Sequence, residues 1–87
     1  MKNGPLPTRI RLPWGYLISV VELSSAEYAE NCGEDSLACW IAEERRIYLR
    51  AARPIKKKRA DLAHELLHAV ADWQVSLLGS DHADSKD

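Results

Sequence analysis

Apolar residues along this chain come in short runs between charged or proline-punctuated stretches, and a helical period appears only in the last third. Residues 1–13 carry three prolines and read as an extended segment, with Pro13-Trp14-Gly15 marking a turn. Tyr16 to Leu23 (YLISVVEL) is short and rich in β-branched residues, which predicts a strand. Ser24 or Ser25 is placed to cap a short helical turn over residues 26–30, ending in the polar stretch 31–36, where Gly33 permits positive φ. Leu37 to Ala42 and Ile47 to Arg50 predict two further strands. The charged group Glu43-Glu44-Arg45-Arg46 joins them as an antiparallel hairpin, and its tip has neither Gly nor Asn, so a type I turn is expected.

From Pro54 to Leu78 the spacing is helical. Leu62, Leu66, Trp73 and Leu77, with Ala69 and Val70 beside them, form one apolar stripe. Gly79 is expected to stop this helix, and residues 80–87, which lack any large apolar side chain, to fray. The expected architecture is α+β: a small antiparallel, three-stranded sheet packed on one long C-terminal helix. Residues 1–13 form an extended lead-in, residues 14–79 the domain, and residues 80–87 a flexible tail.

Composition narrows the function. At 87 residues and 9.8 kDa, the chain makes one small domain, which buries roughly 60% of the surface its unfolded form exposes. No apolar run approaches the roughly 20 residues that cross a bilayer, so no membrane span is expected. The N-terminus lacks the apolar core of a secretory leader. Twelve basic against 13 acidic residues give a net charge of −1, which argues against a dedicated nucleic-acid binder. Cys32 and Cys39 match no metal-ligand spacing and are read as buried, reduced thiols of a cytoplasmic protein.

One motif carries chemistry. His64-Glu65-Leu66-Leu67-His68 is an HExxH pattern within the best helix of the chain. Residues four apart on a helix stand one above the other, so both imidazoles can face one zinc ion. Glu65, about 100° round from His64, can reach a water without taking a ligand position. Zinc lowers the pKa of such a water to about 7, and a carboxylate can accept its proton during attack on a carbonyl. Asp61, His64, Glu65, His68 and Asp72 share an arc of about 100° on the helical wheel, away from the apolar stripe. That strip is read as lining a cleft between helix and sheet.

Ile47-Tyr48-Leu49-Arg50, a basic connector, and then Arg59-Ala60-Asp61-Leu62-Ala63-His64-Glu65-Leu66-Leu67-His68-Ala69 resemble the ImmA/IrrE-type metallopeptidases. The resemblance is greater to their very small phage- and prophage-encoded relatives, the minigluzincins, and covers roughly residues 37–73. It implies a zincin-like fold, with His64 and His68 as zinc ligands, Glu65 as general base, and a peptide or protein as substrate. The chain departs from that family in its third ligand, commonly a glutamate from a second helix: no Glu follows His68. His82, placed to fold back beyond Gly79, is the first candidate, followed by Asp81 and Asp84. Asp72 lies about 9 Å along the axis from the midpoint of the histidines, too far to share their ion, and is assigned to orient His68.

Other residues carry two readings. Tyr48 and Tyr16 are candidate electrophilic donors opposite the zinc, or core tyrosines with hydroxyls at the rim. Lys56-Lys57-Lys58-Arg59 is a phosphate-binding patch or a solvated first helical turn. Trp14, Trp40 and Trp73 are assigned to packing, whereas an exposed Trp14 would mark a partner surface. The rival to a zinc peptidase is a non-catalytic interaction domain with structural zinc or none.

Overall fold

The computed structural model describes residues 6–85, with side chains through residue 78. Its elements are β1 (Arg9–Leu12), β2 (Tyr16–Leu23), α1 (Ser25–Cys32), β3 (Ala38–Ile41), β4 (Arg46–Arg50) and α2 (Ile55–Ser85). The expected α+β class is observed, but the sheet is four-stranded and mixed, in the order β1-β2-β4-β3. The lead-in read as extended supplies the extra strand. β1 pairs antiparallel with β2, Leu12 facing Tyr16 across a Pro13-Trp14-Gly15 connection in which Trp14 and Gly15 both adopt positive φ. β2 and β4 run parallel, because α1 and β3 intervene before the chain returns to the edge of β2 opposite β1. The hairpin of β3 and β4 forms as anticipated, Ile41 facing Arg46.

Local chemistry explains the short helix. Ser24 caps α1 by accepting from the Glu27 N–H at 3.3 Å, and the Glu27 carboxylate accepts in return from the Ser24 N–H at 3.4 Å. Gly33, at φ 86°, ends it.

α2 lies on one face of the sheet. Ile18, Ile47 and Leu49 are fully buried there, with Tyr16 and Val20 beside them, under Leu62 and Ala69 of the helix. Leu66 and Trp73 complete the contact from α2, and Ile10, Leu12, Ala38 and Trp40 from the flanking strands. Burying an aliphatic side chain of this size contributes about 1.5–3 kcal/mol. The predicted stripe is therefore the packing face as far as Trp73. Leu77 is instead nearly half exposed, because α2 outruns the sheet. The helix also passes through Gly79 to Ser85 where a stop was expected. An interior glycine weakens a helix by about 1 kcal/mol without ending it.

The other face carries a second correction. Cys32 and Cys39 form a disulfide rather than two reduced thiols, Cα–Cα 6.3 Å. Ala38 and Trp40 turn toward α2, so Cys39 between them turns away, to the side where α1 ends. Among the described residues no helix is long and apolar enough to cross a membrane.

Candidate functional site

Side-chain ties seat α2 against the sheet. At its start the Arg53 guanidinium grips the Asp61 carboxylate with two hydrogen bonds, 2.7 and 3.2 Å. Lys58 donates to Glu22 of β2 at 2.6 Å and to the Ala51 carbonyl at 3.2 Å. Further along, Trp40 Nε1 of β3 donates to Asp72 at 2.6 Å and Trp73 Nε1 to the Pro13 carbonyl at 3.2 Å. Lys58 of the basic run thus anchors the helix, while Lys56 and Lys57 are exposed.

With Leu62, Leu66, Ala69 and Trp73 committed to the sheet, the helical period sets the rest. His64 and His68 come to the outer side, exposed, their rings edge to face with centroids 5.1 Å apart. Glu65 lies nearer the sheet and is half-buried. It lines a cavity of about 420 Å³ together with Ala60, Asp61 and His64 from α2 and Ser36, Leu37 and Ala38 from the approach to β3 and its first residue. Of the strip predicted to line a cleft between helix and sheet, Asp61, His64 and Glu65 are in the wall of this cavity, and His68 and Asp72 are not.

The two acidic groups in that wall differ. Both oxygens of Asp61 are occupied by Arg53. Glu65 forms no hydrogen bond or ion pair among the described residues. Among the described residues β3 pairs only with β4, which leaves its outer backbone edge open beside the cavity.

The remaining predicted residues are elsewhere. Ile47 and Leu49 pack toward α2, so Tyr48 between them points to the opposite face of the sheet. There it donates to Glu44 at 2.9 Å and accepts from Arg46 at 3.3 Å. It cannot serve as a donor at the histidines. Tyr16 is buried at the core face with the Arg45 guanidinium over its ring. Asp72 is taken by Trp40 and forms no hydrogen bond with His68. The continuous helix sets the backbone of residue 82 about 21 Å further along the axis than that of residue 68. The side chains of Asp81, His82 and Asp84 lie outside the described residues.

Two exposed imidazoles at helical spacing suit zinc as donors, whereas a catalytic zinc ordinarily takes three protein ligands. Among the described residues no group of three or more His, Cys, Asp or Glu side chains is placed to hold a metal ion. Sequence reasoning missed the Arg53–Asp61 grip and the Trp40–Asp72 bond. The first ties the turn before α2 to the helix eight residues on and the second ties β3 to α2, and no local pattern announces them. Comparison with protein families, with curated proteins and with solved structures finds no match for the chain.

Proposed function

We propose that the protein is a metal-dependent, peptidase-like hydrolase whose working groups are His64, His68 and Glu65. The observation that carries this reading is the division of labour in the cavity wall. Asp61 is neutralised by Arg53, while Glu65, next to His64, has no partner and β3 an open outer edge among the described residues. His64 and His68 are the residues that would hold zinc, and zinc bound there supplies a Lewis acid and an acidified water. Glu65 accepts a proton at its carboxylate from the water that attacks a peptide carbonyl, and returns it to the departing amine. The edge of β3 receives the substrate as an added strand, which brings its carbonyls past the cavity mouth. A third protein ligand has to come from outside the described residues.

The test is zinc content by elemental analysis joined to peptide hydrolysis. Glu65→Gln is expected to keep the wild-type zinc content and lose at least about 100-fold in turnover, the scale of general-base catalysis. His64→Ala and His68→Ala are each expected to lose both zinc and turnover. Retained turnover in Glu65→Gln would sink the mechanism.

The absence of a third donor among the described residues favours one rival, an interaction domain with structural zinc or none. Chelation separates the two: a structural ion leaves an unfolded chain behind, a catalytic one a folded and inactive chain.

A further inference from the structure

The sheet has two faces, and α2 covers one of them. The strand period assigns side chains to the other. Ile10 and Leu12 pack toward α2, so Arg9 and Arg11 project the opposite way. Leu17, Ser19 and Val21 of β2 do the same, as do Arg46, Tyr48 and Arg50 of β4. α1 packs on one end of this face, where the Arg50 guanidinium stacks over the Tyr28 ring at 4.2 Å and the disulfide ties Cys32 to Cys39. The other end is left uncovered among the described residues. It presents Arg11 beside Leu17 in one row and Arg9, Ser19 and Arg46 across the strands in the next.

The charge of this patch is mainly positive, with one carboxylate, that of Glu44, beside Arg46. Arg9 and Arg11 are exposed and form no hydrogen bond or ion pair with any described residue. Arg46 meets Glu44 at 3.5 Å, but both side chains are about half exposed, so the contact is open to competition. Leu17, 36% exposed, stands across from Arg11, and Ser19 lies between Arg9 and Arg46. Three arginines therefore share one sheet face of a chain whose net charge is −1.

Spacing and composition identify the occupant. Arg9 and Arg11 are about 7 Å apart along β1, and Arg9 and Arg46 about 10 Å apart across the sheet. An extended polypeptide repeats its side chains on one face at the same interval of about 7 Å, so alternate carboxylates come into register with Arg9 and Arg11. Single-stranded nucleic acid is held by stacking on exposed rings. Within the patch Tyr48 is buried and bonded to Glu44, and at its border the 81% exposed Trp14 of the β1–β2 connection offers a single ring, where a strand of bases stacks on successive ones. We propose that the uncovered half of this sheet face binds an acidic protein segment in extended form, with carboxylates at alternate positions on Arg9 and Arg11 and a third on Arg46. The surface is separate from the Glu65 cavity, which lies on the α2 side, so the proposal stands or falls independently of the hydrolase reading.

The experiment is a titration of the ¹⁵N-labelled full chain with a short synthetic peptide alternating glutamate and valine, followed by amide shifts. Saturable shifts are expected at residues 9–11, 17–19 and 46. The double variant Arg9→Glu/Arg11→Glu should weaken binding about tenfold or more, and Arg9→Gln/Arg11→Gln by a smaller factor, with amide dispersion unchanged. Lys56→Glu/Lys57→Glu, equal in charge change but on α2, should stay within about twofold of the parent. Equal weakening by the lysine pair would reduce the effect to net charge and overturn the site. So would shifts centred on residues 56–59, or an arginine variant that binds like the parent. Stronger perturbation of the same amides by oligothymidine or by phosphatidylglycerol vesicles would replace the acidic segment with a phosphate partner.

Discussion

The two faces of the sheet solve the same problem by different means. The α2 face is closed by apolar packing: Ile18, Ile47 and Leu49 are fully buried beneath Leu62 and Ala69. Among the described residues the opposite face is closed at one end only. There Tyr28 is fully buried, and its surroundings are bound by polar and covalent ties. The Tyr28 hydroxyl shares a 2.8 Å hydrogen bond with Ser36, Arg50 donates to the Ser36 and Glu34 carbonyls at 3.0 and 2.9 Å, and the disulfide joins α1 to β3. A long amphipathic helix can cover a sheet face by itself. An eight-residue helix cannot, and the shortfall is made up by specific bonds and by leaving the rest to solvent.

Three substitutions test this contrast, in falling order of effect. Leu49→Ala removes a fully buried side chain from the α2 face and should cost about 2–5 kcal/mol, read as a shift of the urea midpoint. A chain of 87 residues has little stability to spare, and this variant should be largely unfolded at 37 °C. Reduction of the Cys32–Cys39 bond, or Cys32→Ser, acts on the other face. It frees a short loop in the unfolded state and should cost about 2–3 kcal/mol in the same assay. A midpoint that ignores reductant would mean that the polar ties hold α1 without it. Ser24→Ala removes the cap of α1 and should cost about 1 kcal/mol. Combined with Cys32→Ser, that loss should shrink if α1 already detaches when the disulfide is gone, and add in full if it does not.

Much of the fold was legible locally. The β-branched run of β2, the Ser24 cap, the β3–β4 hairpin and the stripe of α2 as far as Trp73 all follow from patterns within a few residues. β1 escaped because its prolines dominate its reading. Pro7 precedes β1 and Pro13 follows it, so neither interrupts the β1–β2 ladder. The parallel pairing of β2 with β4 escaped for another reason: adjacency in sequence suggests a meander, and nothing local reports that α1 carries the chain past its own neighbour. The cysteines misled because spacing alone does not reveal that one ends a helix and the other faces it from a strand.

The same division runs through the site. The sequence by itself determined that His64 and His68 share one side of a helix with Glu65 close by, since the helical period depends on nothing outside that segment. Only the tertiary structure decided which acidic residues remain available. Asp61 went to Arg53, Asp72 to Trp40 and Tyr48 to the far side of the sheet, while Glu65 in the cavity wall was left unpaired among the described residues. Spacing along one element is a local constraint of backbone geometry. Which charges meet is settled by how elements distant in the chain are brought together, and that depends on the whole core at once.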